Sequence, residues 1–182
     1  MTSRRRFFEH SSLGLISSLM LPLSAFSGSD PEFEGLVVNE DEGEAIQLRD
    51  GTSILRIKIA KTQGAKSLSF LSESFRPGDA ISVHKHLNED ELIFLHRGSG
   101  LFTLGDKQYQ IKEGAVALVP KGVWHGLQNN GNENIEMRFC YAPSGLEGWF
   151  REVGTPVGQP YIRKPLDERR AIAKKWGTIY KD

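Results

Sequence analysis

Between residues 53 and 142, apolar and polar side chains alternate in short runs broken by glycine, proline and asparagine. A period of two places successive side chains on opposite faces of an extended strand. Leu55, Ile57 and Ile59 alternate with Ile54, Arg56 and Lys58, which predicts a strand starting at Ser53. The same reading predicts strands over 67–75, 80–86, 91–97, 101–104, 107–111, 115–119, 124–129 and 135–141. Gly105-Asp106 is a two-residue hairpin signal. Arg76-Pro77-Gly78-Asp79, Pro120-Lys121-Gly122 and Asn129-Asn130-Gly131-Asn132 are turns of the usual composition. No helix-period stretch interrupts these strands, so a parallel α/β fold is disfavoured and an all-β sandwich or barrel is expected.

The flanks differ in character. Residues 1–27 begin with Arg4-Arg5-Arg6-Phe7-Phe8, continue as an apolar, Ser-rich stretch and end in small residues around Ala25-Phe26-Ser27. That order is the layout of an export signal, and the adjacent arginines followed by Phe resemble a twin-arginine signal. A periplasmic or otherwise exported protein is the expectation. The apolar stretch is short and interrupted by Pro22, so no membrane span is expected. Residues 28–52 form an acidic approach segment with one short strand over 45–49. Residues 143–182 read as a helical tail. Ser144 with Glu147 suggests a capping box at the start of a short helix running to Val153. A second helix, Leu166–Trp176, follows Pro165 and ends at Gly177. Its Arg169, Arg170, Lys174 and Lys175 read as a solvated face.

Lys+Arg and Asp+Glu both total 23, which argues against a nucleic-acid partner. The single Cys excludes an internal disulfide and any zinc site built on several thiolates. Metal chemistry therefore falls to histidine and carboxylate. His84 and His86 lie two apart on one strand and face the same way. Glu91 opens the next strand on the face that carries Ile93 and Leu95, and His125 follows a Pro-x-Gly turn. Three imidazoles and a carboxylate suit a divalent transition metal such as Fe, Mn, Ni, Cu or Zn. His96 faces away from Glu91, and Glu89 and Asp90 read as exposed loop carboxylates.

These residues sit in two ordered patterns. The first is Gly78-(x5)-His84-x-His86-(x4)-Glu91-(x6)-Gly98, and the second is Gly114-(x5)-Pro120-x-Gly122-(x2)-His125-(x3)-Asn129. Together they closely resemble the two signature motifs of the cupin superfamily. The resemblance implies an antiparallel jelly-roll (cupin) β-barrel over 53–142, short C-terminal helices, and a metal held by His84, His86, Glu91 and His125. It also implies a homodimer. Gly78, Gly98, Gly114 and Gly122 would take positive φ at strand corners. The stretch Pro143–Glu152 and the later 168–177 helix are similar to the tail of bacterial cupins grouped with flavonol (quercetin) dioxygenases.

The expected activity is a metal-dependent, dioxygenase-like oxidation of a small oxygenated substrate, aromatic or enolic, with Glu91 also the catalytic base. The alternatives are a non-catalytic module that binds a metal or small ligand, and a non-redox isomerase or decarboxylase. Candidate cavity residues by strand parity are Ile93, Leu95, Val123 and Leu127, with Phe102, Phe139 and Tyr141 at the ends. Arg56, Arg97 and Arg138 are the strand arginines available as anion anchors.

Overall fold

The computed structural model describes residues 35–181; the expected export signal over 1–27 lies outside them. Ten strands come first: β1 (Glu44–Leu48), β2 (Ser53–Ile59), β3 (Ser69–Phe75), β4 (Ala80–His86), β5 (Asp90–Arg97), β6 (Ser99–Leu104), β7 (Lys107–Lys112), β8 (Val116–Val119), β9 (His125–Gln128) and β10 (Ile135–Ala142). The helix α1 (Glu147–Val153), the short β11 (Thr155–Pro156), the helix α2 (Leu166–Lys175) and β12 (Thr178–Tyr180) complete the chain. One sheet has the order β11-β1-β2-β3-β10-β5-β8 and the other β12-β4-β9-β6-β7. The strand pairs in both sheets are antiparallel. The fold is mostly β in two antiparallel sheets, as the alternation and turns predict, and it is consistent with the jelly-roll barrel that the cupin resemblance implies.

Parity decides what enters the barrel. Along β5, Glu91, Ile93 and Leu95 are buried while Asp90, Leu92, Phe94 and His96 are exposed. Leu55, Leu71, Phe75, Leu95, Phe102 and Phe139 are among the fully buried side chains between the sheets. Burying a side chain of this size contributes roughly 1.5–3 kcal/mol, which outweighs the weak intrinsic preference of strands this short. The four motif glycines all have positive φ, between 81° and 89°. At Gly98 a Cβ would also come within 2.7 Å of Asn134 O, so the β5–β6 corner excludes any side chain. Asn129 closes the end of β9: its Nδ2 donates to Phe75 O and Glu133 O, and its Oδ1 accepts from Gly131 N.

The tail departs from the sequence reading in three ways. Ser144 does not cap α1; its hydroxyl donates to Ala65 O and Lys66 O. Glu147 is buried instead and accepts from Lys61 N and Gly145 N, so both residues tie the tail to the loop after β2 rather than close a capping box. The chain also continues past α2 into β12. Gly177, at φ +75°, makes the reversal, and β12 pairs with β4 so that Thr178 opposes His86 and Tyr180 opposes His84. Third, Arg169 lines the interior cavity instead of belonging wholly to a solvated face.

Candidate metal centre

β4 brings His84 and His86 to the same inner face, and β9 lies beside it with His125 opposite His84. β5, in the facing sheet, supplies Glu91. All four side chains are buried, and one ligand atom from each lies within 4.8 Å of the others. Glu91 Oε2 is 2.8 Å from His125 Nε2 and 3.4 Å from His86 Nε2. Those approaches are badly angled for hydrogen bonds, and all three atoms are buried without a hydrogen-bond partner.

The outer ring nitrogens explain why the inner ones converge. His84 Nδ1 lies 2.8 Å from Ser82 O, and His125 Nδ1 lies 3.1 Å from Val123 O. A carbonyl only accepts, so each Nδ1 carries the proton and each Nε2 keeps a lone pair aimed inward. His86 Nδ1 is hydrogen-bonded to the buried Thr178 hydroxyl at 3.0 Å. Burial, reinforced by the neighbouring His125 and His86, holds His84 down to about 3. Burial pushes the Glu91 carboxyl up, but the N–H groups and charge of His125 and His86, when those rings are protonated, outweigh that and hold it at about 2. Two inward lone pairs, a third inward imidazole nitrogen and an ionised carboxylate, with buried atoms left unpaired, fit a divalent cation. The group can hold one, and imidazole with carboxylate serves iron, manganese, nickel, copper and zinc alike.

The pH dependence follows from these two groups. An unfolded His titrates near 6.5, so the unfolded chain takes up a proton between about pH 6.5 and 3 that folded His84 refuses. Glu91 acts with the same sign between about 4.5 and 2. The metal-free protein is therefore expected to lose stability steadily as pH falls from 7 to 4. Urea midpoints measured across that range check this, and a flat profile contradicts it.

Thr178 escaped the sequence reading because Thr-Ile-Tyr after a helix stop is too short to show a period. Thr178→Val keeps the shape and removes the hydroxyl that orients His86. It is expected to weaken metal binding roughly 10–100-fold, the usual cost of an outer-shell partner. Competition with a chromophoric chelator measures it.

A cavity of about 280 Å³ adjoins His84, Glu91 and His125. Ile93, Phe102, Leu127, Phe139 and Tyr141 wall it as expected; Leu95 and Val123 pack elsewhere in the core. Burial raises the Tyr141 hydroxyl well above its ordinary range, and the nearby Glu91 charge adds to this, so it stays a neutral phenol. The three strand arginines do not line this cavity. Arg97 and Arg138 pair with Glu133 and Glu40, and Arg56 lies on the opposite side of β2 from the buried Leu55 and Ile57. The cavity arginines are Arg49, Arg169 and Arg170. Arg49 pairs with the buried Glu73, donates to Ser53 Oγ at 3.0 Å, and lies 5.0 Å above the Phe75 ring. Nothing in the sequence pattern marks this pair, because it joins a turn to the inner face of β3. Glu89 is also a correction: it is buried, and desolvation raises its carboxyl, whereas Asp90 is exposed and accepts from Lys121 N.

Two facing antiparallel sheets around a buried three-histidine, one-glutamate cluster define a β-barrel with a candidate metal centre inside. Residues 71–141 match the Cupin domain family, and with the barrel this supports the cupin superfamily. The chain is 32% identical over 71 residues to an oxalate-binding protein of Thermotoga maritima, covering 39% of this chain and 59% of that one. It is 38% identical over 89 residues to an acireductone dioxygenase of Stenotrophomonas maltophilia, covering 46% of each. The chain therefore spans only about half the length of these curated relatives. A solved structure, that of a predicted oxalate decarboxylase from Thermotoga maritima, superposes with a TM-score of 0.54 at 24% identity. It covers 59% of this chain and 99% of that one, and it shares the fold.

Proposed function

We propose that this protein is a metal-dependent, dioxygenase-like oxidoreductase acting on a small oxygenated substrate, with His84, His86, Glu91 and His125 as its metal ligands. The observation that carries this reading is the convergence of unpaired inner donor atoms beside a small cavity. The partial likeness to an acireductone dioxygenase supports it. When bound, a divalent metal supplies Lewis acidity that lowers the pKa of a substrate hydroxyl or enol. The protein's own part is to hold and position. Glu91 is ionised at neutral pH and able to accept a proton at its carboxylate. Ile93, Phe102 and Phe139 exclude water, and Tyr141 stays protonated beside His86, with ring centroids 5.1 Å apart.

The test is dioxygen consumption by protein loaded separately with iron, manganese, nickel, copper and zinc, with product analysis across flavonols and related enols. Uptake with a redox-active metal, abolished in His84→Ala, is expected. No uptake with any metal overturns the reading. The likeness to an oxalate-binding protein favours a second reading, a module that binds without turnover. Ligand-induced thermal stabilisation with no product would support that one.

The proposal extends to assembly and location. Leu92, Phe94, Val116 and Leu118 expose an apolar strip on β5 and the edge strand β8, which suits pairing of two copies into a homodimer. Leu118→Lys is expected to convert the dimer to monomer in sedimentation velocity. Export rests on Arg4-Arg5-Arg6 and the following apolar stretch, and cell fractionation tests it.

A further inference from the structure

α2 carries into the metal cavity a cation that the protein does not neutralise. Arg169 lines that cavity, and its Nε is buried with no hydrogen-bond partner among the described residues. Three neighbouring cations have partners. Arg49 is paired with Glu73 and bonded to Ser53, Lys164 pairs with Glu168, and Lys175 pairs with Glu152. A buried charged donor without an acceptor is costly, and the cost is recovered only when an acceptor arrives.

Tyr180 relates this cation to the metal centre. Its ring lies 5.8 Å from that of His84, and its hydroxyl lies within the field of both Arg49 and Arg169. One cavity of about 280 Å³ is thus lined both by the His84, Glu91 and His125 side chains and by the Arg169 guanidinium. The guanidinium is a planar fork that matches a carboxylate. Glu73 cancels Arg49, which leaves Arg169 as the cavity cation with a buried, unbonded donor. A doubly charged phosphate would face the Glu73 and Glu91 carboxylates in the same cavity, which disfavours it against a singly charged carboxylate.

We propose that the cavity takes a small monocarboxylic acid whose carboxylate pairs with Arg169, its hydroxyl, enol or keto oxygen facing the His84–Glu91 end. The far end of this assignment rests on the metal-centre reading above. Arg169 is then a substrate-binding residue that sets the charge of the substrate, supplied by the tail rather than by the barrel.

The probe pair is 4-hydroxyphenylacetate and its neutral isostere 4-hydroxyphenylacetamide, titrated calorimetrically into the full chain, zinc-loaded and metal-free. The acid is expected to bind the zinc-loaded protein at least ~10-fold more tightly than the amide, the scale of one charge-assisted pair. Arg169→Gln should bring the two within about twofold by weakening the acid alone, and Arg169→Lys should restore part of the preference. Circular dichroism and bound zinc per chain confirm that the variants keep the fold and the centre. Equal binding of acid and amide by the wild type overturns the proposal, as does equal weakening of both by Arg169→Gln or no measurable binding of the acid. Zinc counted on the same samples separates the two readings. Zinc bound without acid preference sinks the carboxylate subsite alone. Acid preference without stoichiometric zinc sinks the metal centre and leaves Arg169 assigned.

Discussion

His125→Ala is expected to abolish metal binding at the candidate centre. The residue sits between its two partners: its Nε2 is 2.8 Å from Glu91 Oε2, and its ring centroid is 4.2 Å from that of His84. Losing one of four donors should cost at least about 100-fold in affinity, more than the loss of an outer-shell partner. Stability follows by linkage. With free metal at about 1,000 times the dissociation constant, the wild type gains about 4 kcal/mol over its metal-free form. A 100-fold weaker site forfeits about 2.7 kcal/mol of that gain. Elemental analysis after gel filtration and metal-dependent shifts in the urea midpoint give both readouts. His96→Ala is the control, since His96 is exposed on the outer face of β5 and should change neither. Stoichiometric metal in His125→Ala would place the centre elsewhere.

Arg49→Ala is expected to destabilise the fold by roughly 3 kcal/mol, the lower part of the range for breaking a buried ion pair. The loss comes from what remains. Glu73 is 4% exposed, and without the guanidinium its carboxylate keeps only the Ser53 hydroxyl as donor. The backbone also shows that the pair is held against a cost, because Arg49 takes a positive φ of 46°, a region that non-glycine residues disfavour. Replacing both partners with apolar residues, Arg49→Met with Glu73→Leu, should recover stability to within about 1 kcal/mol of the wild type. Urea denaturation with an unchanged slope measures each variant. A mild Arg49→Ala, or a double variant as unstable as the single, would show that the pair is not what holds this corner.

Local chemistry accounts for most of what could be read in advance. β4 runs from Ala80 to His86 as the alternation predicts, and β5 buries Glu91, Ile93 and Leu95 while exposing His96. Period two is a property of neighbouring residues, so it survives in a bare sequence. The positive-φ glycines and the Asn129 closure are equally local. Four donors on strands that the motif spacing ties together therefore meet where parity directs them.

The misses share a cause. Glu89 looked like a loop carboxylate because its burial comes from packing that no neighbouring residue signals. Glu147 looked like a helix cap, yet its carboxylate accepts from Lys61 N, far away in sequence. Arg56, Arg97 and Arg138 were candidate anchors only because they lie on strands, and the cavity drew its arginines from a turn and a helix instead.

The order of apolar and polar residues, with glycine where the backbone must turn back, was enough to specify the strands, their inward faces and the set of possible metal donors. Only the folded chain decided what surrounds those donors: Thr178 behind His86, Tyr180 beside His84, Arg49 against Glu73, and Arg169 unpaired at the cavity. Backbone geometry repeats every few residues and leaves its period in the sequence. Contacts between segments distant along the chain have no period, and come into being only when burial of the core brings β12 and α2 against the barrel.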